Sequence, residues 1–174
     1  NNPTGAVYPT EDLAALAQIA LERDLYLISD EAYRLFVYDK VKSASLFDIE
    51  DIRPLLITTR SFSKNYAMTG FRVGYIAAPQ EFIQAVAGLQ SHMTGNVCTF
   101  AQEGALRALE VAEDILEERR LAFQERRDLA LRLCEGLFDP IAPDGAFYLF
   151  PSIAAYGDRF GGDEAFARHL LEAA

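Results

Sequence analysis

The sequence contains few cysteines and histidines, and their positions argue against two kinds of site. Cys98 and Cys134 are far apart and form no C-x-x-C pair. This usage favours two reduced, largely buried thiols of a cytoplasmic protein over a disulfide or a metal site. His92 and His169 are isolated, so the sequence does not support a zinc site.

Long apolar runs and an excess of positive charge are also missing. No stretch reaches the roughly 18 uninterrupted apolar residues that a membrane-spanning helix needs, and we expect no secretory signal because no charged leader precedes an apolar core. The 16 basic and 26 acidic residues give a formal net charge of -10. This balance argues against nucleic acid as the main partner, but it is compatible with a small anionic ligand held by local arginines.

The apolar residues that are present follow the spacing of an α/β protein. The 174 residues, 51% of them hydrophobic, can form one ordinary core or parts of two. Helical spacing begins near Thr10, a candidate N-cap. Short apolar runs predict strands at 25–28, 55–59 and 73–78. Helix, strand, connection and strand in this order predict an α/β sheet with covered faces.

The second half of the chain has mainly helical spacing. It predicts helices at 81–89, at 100–109 and at about 113–137, and the last is long enough to connect two domains. The charges of that long helix are typical of a solvated face. The remaining predicted features are turns at Asp139-Pro140 and 143–145, a strand at 146–150, and a final helix after Gly161-Gly162-Asp163.

One lysine lies in a loop of small residues, Ser61-Phe62-Ser63-Lys64, and Arg72 follows where a strand should begin. Such a lysine taken alone is more often an exposed surface residue. In this loop its amine can form a Schiff base with a carbonyl cofactor. Ser61 and Arg72 could bind that cofactor's phosphate, because the planar fork of arginine contacts two phosphate oxygens at once.

Two segments upstream of the lysine carry further polar groups, Asn2-Pro3-Thr4-Gly5 and Ser29-Asp30-Glu31-Ala32-Tyr33. Asp30 and Ser61 end two predicted strands, and ligands of open α/β sheets bind at that edge. Each residue also has an ordinary structural reading. Asp30 could start a turn, Tyr33 could be a packed aromatic, and Asn2 could be a turn residue before proline.

Taken together and in this order, the three segments resemble the fold-type-I pyridoxal-phosphate enzymes, and within them the class I/II aminotransferases. The resemblance covers essentially the whole chain, and Ser61 to Gly74 fits the family's lysine-attachment signature. It implies part of a large cofactor-binding domain, a mostly parallel sheet with helices on both faces, at 1–118. The start of an α+β small domain would follow at 119–174, and the long helix would connect the two.

The resemblance implies the cofactor pyridoxal 5'-phosphate and a role for four residues near its ring. Lys64 would hold the cofactor as a Schiff base and then move the proton between substrate and cofactor. Asp30 would pair with the protonated pyridine nitrogen and keep the ring an electron sink. Tyr33 and Asn2 would hydrogen-bond the cofactor's phenolate oxygen.

The resemblance assigns the phosphate to Ser61 and Arg72, with Ser63 as a possible helper. Glu31 should point differently from its neighbour Asp30, since adjacent extended residues face opposite sides. The implied catalytic residues are thus Lys64, Asp30 and Tyr33.

The implied activity is transfer of an amino group between an α-amino acid and a 2-oxo acid, in a homodimer and with the substrate side chain left open. Three other readings remain: a C–S lyase, deaminase or synthase on the same scaffold, the sensing domain of a transcription regulator, and a non-catalytic piece used for association.

The chain opens on Asn1-Asn2-Pro3 with no strand before this loop, so we expect a fragment that starts within a domain. The resemblance then implies that several site elements lie outside it. These are the rest of the phosphate cup, the aromatic that stacks on the pyridine ring, the arginine for the substrate α-carboxylate and a tyrosine from a partner subunit.

Overall fold

A computed structural model describes residues 1–111, 113–138 and 140–173, and it shows an α/β fold with one three-stranded sheet. The helices are α1 (Thr10–Arg23), α2 (Phe62–Asn65), α3 (Gln80–Met93), α4 (Thr99–Ala108), α5 (Glu113–Cys134), α6 (Ala154–Phe160) and α7 (Asp163–Ala173). The strands are β1 (Leu27–Asp30), β2 (Leu56–Ser61) and β3 (Gly74–Ala77), and short 3₁₀ helices lie at Leu46–Asp48, Glu50–Leu55 and Thr69–Phe71. None of the described helices combines the length and apolar character needed to cross a bilayer.

The sheet has the order β1-β2-β3 and brings two predicted site residues to one edge. β1 and β2 are parallel with Asp30 opposite Thr59, so Asp30 and Ser61 both lie at carboxyl ends. β2 and β3 are antiparallel with Ser61 opposite Gly74. The described sheet is therefore mixed, whereas the resemblance implied a mostly parallel sheet for the whole large domain.

The three strands begin one or two residues later than the spacing predicts. Backbone bonding explains the shift of the first strand, because Leu25 N–H donates to the carbonyl of Ala20 and closes α1. Leu25 and Tyr26 thus belong to the connection, and both are exposed. The prediction that Thr10 caps α1 is wrong: Pro9 precedes the helix without a side-chain cap, and Thr10 is its first residue.

The predicted strand at 146–150 is wrong. Among the described residues, 146–150 form no strand pairing, and the preceding Gly145 forms an isolated bridge with Val37. Ala146 then adopts a left-handed backbone with φ of 57°, which ends the extended path. The turn directs Phe147 and Tyr148 toward Tyr33, whose ring centroid lies 5.2 and 5.5 Å from theirs.

The helical predictions are confirmed with shifted ends, and α6 was not predicted. α5 stops at Cys134 rather than 137, because the backbone N–H groups of Leu137 and Phe138 turn back to the carbonyl of Cys134. The predicted turn at Asp139-Pro140 cannot be compared, since Asp139 lies outside the described residues.

The two cysteines differ in exposure. Cys134 is half-buried, but Cys98 is exposed, so the prediction of a buried thiol is wrong there. The reason is local, since Cys98 lies in the connection just before α4. In the part of the chain that the structure describes, both thiols are free, and no three ligating side chains cluster as a metal site would require.

Two apolar clusters hold the two ends of β2. One packs small residues of α1 against the 3₁₀ helices and the start of β2; its buried members are Ala17, Ala20, Leu46, Ile52 and Leu56. The other packs α4 against the lysine turn; its buried members are Phe62, Met68, Val73, Ala101, Ala105 and Ala108. Because alanines line both helices, the helix backbones can approach the sheet closely.

Three segments that are distant in the chain meet at a junction held by backbone hydrogen bonds. They are residues 1–5, 36–38 and 143–146. Gly145 N–H donates to the carbonyl of Gly5 over 2.9 Å, and Ala146 N–H donates to that of Phe36 over 2.8 Å. A Cβ on Gly145 would lie 2.6 Å from the Phe36 oxygen, so only glycine permits this approach. The three-segment junction places the Asn2 loop beside Phe147 and Tyr148.

Candidate active site

Lys64 lies in the single helical turn α2 at the carboxyl end of β2. Ser61 caps this turn, because its Oγ accepts the backbone N–H of Ser63 over 3.1 Å. Phe62 is buried below it, and its N–H donates to the carbonyl of Val73. The backbone of the lysine loop is therefore fixed on both sides, while Lys64 itself is half-buried.

The Lys64 amine lies over two aromatic rings. Its Nζ is 5.3 Å from the centroid of Phe147 and 5.9 Å from that of Tyr33. Ring faces attract a cation at such distances. The turn after Gly145 thus brings residues from two distant segments to the lysine.

Tyr33 is joined to Asn2 through a third residue, Tyr148. The hydroxyls of Tyr33 and Tyr148 are in hydrogen-bond contact, and Asn2 Nδ2 donates to the Tyr148 hydroxyl over 3.4 Å. Burial, and then the hydrogen bond with Tyr148, raise the pKa of Tyr33 to about 12. Tyr33 is therefore a neutral phenol at neutral pH and can donate a hydrogen bond.

Asp30 faces the same region from the end of β1. Its Oδ1 accepts the N–H of Ala32 over 3.1 Å, which orients the carboxylate in a local turn. With Asn2 and Tyr33 it lines a cavity of about 220 Å³. The structure therefore brings Asn2, Asp30 and Tyr33 together at one cavity.

The two predicted phosphate residues lie close along the ladder but are not joined. Ser61 pairs with Gly74, and Arg72 is two residues before Gly74. Arg72 Nη1 donates to the carbonyl of Thr69 over 3.0 Å. Within the described residues Arg72 and Ser61 form no hydrogen bond, and Arg72 lines a separate open groove of about 780 Å³. Ser63 is seen to contribute its backbone N–H to the turn.

Tyr148 and Phe147 are the site residues that the sequence pattern missed. Both lie in the predicted strand at 146–150, to which the sequence pattern assigned no role in the site. The signal that could have found them is the glycine, since a tight approach at Gly145 forces the next residues out of the strand. The hydroxyl contact between Tyr148 and Tyr33 spans 115 positions of sequence.

The donor set fits an anionic, aromatic carbonyl compound. A lysine amine can bond covalently to a carbonyl carbon, and a carboxylate can pair with a protonated ring nitrogen. A neutral phenol and an amide can hydrogen-bond a ring oxygen, and an arginine with a serine hydroxyl suits a phosphate. These groups belong to Lys64, Asp30, Tyr33, Asn2, Arg72 and Ser61.

Comparison with known proteins identifies the family of the chain. The whole chain, residues 1–174, matches the family described as "Aminotransferase class I and II". The chain belongs to this family. The fold class and the resemblance predicted from its sequence are thereby confirmed.

Curated relatives of this aminotransferase-family chain extend well beyond it. It is 44% identical to the "Probable aspartate/prephenate aminotransferase" of Aquifex aeolicus, covering 100% of this chain and 45% of that protein. It is 37% identical to the "Aspartate aminotransferase" of Bacillus subtilis, covering 99% and 45%. The chain thus spans about 45% of the length of these relatives.

Solved structures of aminotransferases show the same backbone arrangement. A single mutant of the Thermus thermophilus aspartate aminotransferase superposes with a TM-score of 0.87 at 39% identity, over 99% of this chain and 45% of that one. The aromatic aminotransferase of Pyrococcus horikoshii gives 0.85 at 36% identity, over 90% and 43%.

Proposed function

We propose that a protein containing this chain is a pyridoxal-phosphate-dependent aminotransferase that moves an amino group between an α-amino acid and a 2-oxo acid. The observation that carries the proposal is the position of the Lys64 amine over the ring of Tyr33, a residue that lines one cavity with Asp30 and Asn2. Family membership supports the interpretation of this combination as a cofactor site rather than an isolated lysine.

Four side chains of this chain would hold the ring end of the cofactor. When bound, pyridoxal phosphate supplies an aldehyde carbon and an electron-accepting pyridine ring. The Asp30 carboxylate holds the proton of the ring nitrogen by pairing with it. The Tyr33 phenol, neutral because of its raised pKa, donates to the ring oxygen with Asn2 beside it. Lys64 would supply the amine that holds the aldehyde end of the cofactor, and as a neutral amine it would be the base that accepts and returns the substrate proton.

Three residues would hold the phosphate end. The Ser61 hydroxyl accepts the N–H of Ser63, which leaves its own O–H free to donate to a phosphate oxygen. Arg72 lies two residues before Gly74, the ladder partner of Ser61, and its guanidinium supplies charge and two donors. Ser63 would assist through its hydroxyl.

Further proposals concern the assembly and the organisation of the protein. We propose a homodimer, which family membership supports, and a cytoplasmic location, which the two free thiols support. We also propose domain parts at 1–118 and 119–174. Aromatic contacts among Phe138, Tyr156, Phe160, Phe166 and His169 favour a separate small cluster in the second part.

The test is an absorption spectrum of the full-length protein with pyridoxal phosphate, before and after amino acids are added. Aspartate and aromatic amino acids come first in the panel, because the relatives are named for them. We expect a cofactor band that bleaches with an amino acid and returns with a 2-oxo acid. The variant Lys64→Ala should lose this cycle, whereas Lys42→Ala, at an exposed lysine, should keep it.

The outcomes separate the candidate functions. A Lys64-dependent band without a reversible cycle would favour a lyase, a deaminase, a synthase or a sensing domain on the same scaffold. A protein without any Lys64-dependent band would contradict the proposal at its centre.

A further inference from the structure

The residue next to Asp30 is a buried acid. Glu31 is 8% exposed, and its backbone N–H donates to the carbonyl of Thr59 over 2.9 Å, which continues the β1-β2 ladder. Burial of a carboxylate is costly unless the charge is paired and hydrogen-bonded. Glu31 therefore needs partners, and the structure supplies them for both oxygens.

Arg60 is the main partner of this acid. Its Nε and Nη2 lie 2.9 and 2.8 Å from Glu31 Oε2. Oε1 accepts the hydroxyls of Ser45 and, over 3.4 Å, Ser29. Burial lowers the pKa of Arg60, but hydrogen bonds with Tyr75 and Glu31 outweigh it and leave that pKa raised. The guanidinium is therefore charged.

The Arg60–Glu31 pair connects all three strands beside the candidate site. Arg60 precedes Ser61 in β2, and its Nη1 donates to the hydroxyl of Tyr75 in β3 over 3.4 Å. Arg34 adds a second cation, with its Nε 3.9 Å from Glu31 Oε2. Within the described residues, the ionisable groups near the pair are thus Arg34, which faces Glu31, and Tyr75, which bonds Arg60. Asp30 is the neighbour of Glu31 in the chain.

Resting on the proposed function, we propose that Arg60 and Glu31 are positioning residues for Asp30. Arg60 is the main ion-pair partner of Glu31. Within the described residues, the hydrogen bond given to the Asp30 carboxylate comes from the N–H of Ala32, so Asp30 is left to pair with a bound ligand. The pair also holds the end of β1 in register with β2, and Asp30 with it. A change in the net charge of Arg60 and Glu31 alters the electrostatic potential at a cofactor ring beside Asp30.

Opposite substitutions should therefore act in opposite directions. Arg60→Met leaves an extra negative charge, which favours the protonated form of a nearby group, whereas Glu31→Gln leaves an extra positive charge. In the full-length protein with pyridoxal phosphate, we expect the pH midpoint of the cofactor's absorption change to rise in Arg60→Met. It should fall in Glu31→Gln, each by on the order of one pH unit.

A double variant and a surface control complete the experiment. Arg60→Met/Glu31→Gln removes both charges and should return the midpoint to that of the wild type. Arg107→Met removes an arginine that is 76% exposed and should leave the midpoint unchanged. Cofactor dissociation constants from equilibrium dialysis should show the same cancellation in the double variant.

The results separate this inference from the proposed function. Midpoints that stay at the wild-type value in the folded single variants, with only lower thermal stability, would reduce the pair to a structural role and overturn the inference. If Arg60→Met does not fold, an unchanged midpoint in Glu31→Gln overturns it equally. A wild-type protein without a cofactor band would contradict the proposed function itself.

Discussion

At the residue scale, the pKa of the Tyr33 hydroxyl is determined first by burial and then by the hydrogen bond with Tyr148. Both influences favour the neutral phenol, and they raise its pKa to about 12. A phenol with this pKa donates its proton in a hydrogen bond throughout the neutral range. Tyr148 therefore affects the site through Tyr33.

We predict that Tyr148→Phe lowers the pKa of Tyr33 from about 12 toward 10, because the hydrogen bond that raises it is lost. Burial still acts, so the pKa should remain above 10. NMR of the tyrosine Cζ resonances measures it, with Tyr33→Phe to assign the signal. Tyr26→Phe, at a 59% exposed ring, is the control; the same Tyr33 pKa in both variants would contradict the prediction.

At the element scale, the three-segment junction depends on a missing Cβ. We predict that Gly145→Ala lowers the free energy of unfolding by about 1–3 kcal/mol, because the added carbon overpacks against the Phe36 carbonyl. The same shift moves Phe147 and Tyr148 and should weaken pyridoxal phosphate binding. Urea unfolding and a cofactor titration of the full-length protein measure the two effects.

Gly88→Ala is the matched control for the junction variant. Gly88 lies within α3, and a Cβ there meets nothing within 4 Å. Because alanine favours a helix over glycine, this variant should be stabilised by up to about 1 kcal/mol. Equal effects of the two substitutions would show that the junction has no special packing requirement.

The helix α5 is attached to the junction by two arginines, Arg120, whose Nη1 donates to the carbonyl of Val37 over 3.2 Å, and Arg127. The Arg127 side chain is 9% exposed, it pairs with Asp39, and its Nη1 donates to the carbonyl of Pro143 over 3.1 Å. We predict that Arg127→Ala lowers the free energy of unfolding by about 1–3 kcal/mol. Arg107→Ala, at an exposed pair with Glu110, should change it by less than about 0.5 kcal/mol.

Acid unfolding gives a second measurement of the same attachment. The hydrogen bond from Arg127 holds the pKa of Asp39 below its ordinary value of 3.8. The stabilisation is thus present above pH 3.8 and is lost as the pH falls through the lowered pKa. Arg127→Ala should remove the part of the pH dependence of stability that comes from Asp39. If the free energy of unfolding of this variant falls with acid as in the wild type, the Arg127–Asp39 pair does not stabilise the fold.

At the scale of the whole molecule, large apolar side chains remain exposed on several elements. Ile28 in β1 is 73% exposed, Met93 in α3 71%, and Phe100 in α4 77%. Exposed apolar surface of this extent is typical of faces that contact other protein. The chain also spans less than half the length of its curated relatives.

We predict that the 174 residues alone have negligible transaminase activity and bind pyridoxal phosphate weakly, whereas the full-length protein is active. The reason is that Arg72 and Ser61 do not by themselves form a closed phosphate site in the described chain. Turnover per mole of each purified protein measures the difference. Robust turnover by the isolated chain would contradict this prediction.

The local features of this protein can be predicted from its amino-acid sequence. Apolar spacing predicts α1, the three strands and α3 to α5 within a few residues, because burial of one face requires that periodicity. The position of the lysine loop and Asp30 at one edge of the sheet follows from the same apolar spacing, since parallel neighbouring strands end at one edge. These features depend on residues that are close in the chain, and local patterns record them.

The contacts between distant segments are seen in the tertiary structure and could not be predicted from the sequence pattern. The turn that brings Tyr148 to Tyr33 depends on how closely Gly145 approaches Phe36. The pairing of Glu31 with Arg60 likewise depends on two strands lying side by side. No periodicity within a segment records such contacts, because they arise from packing between segments whose register is set by the whole fold.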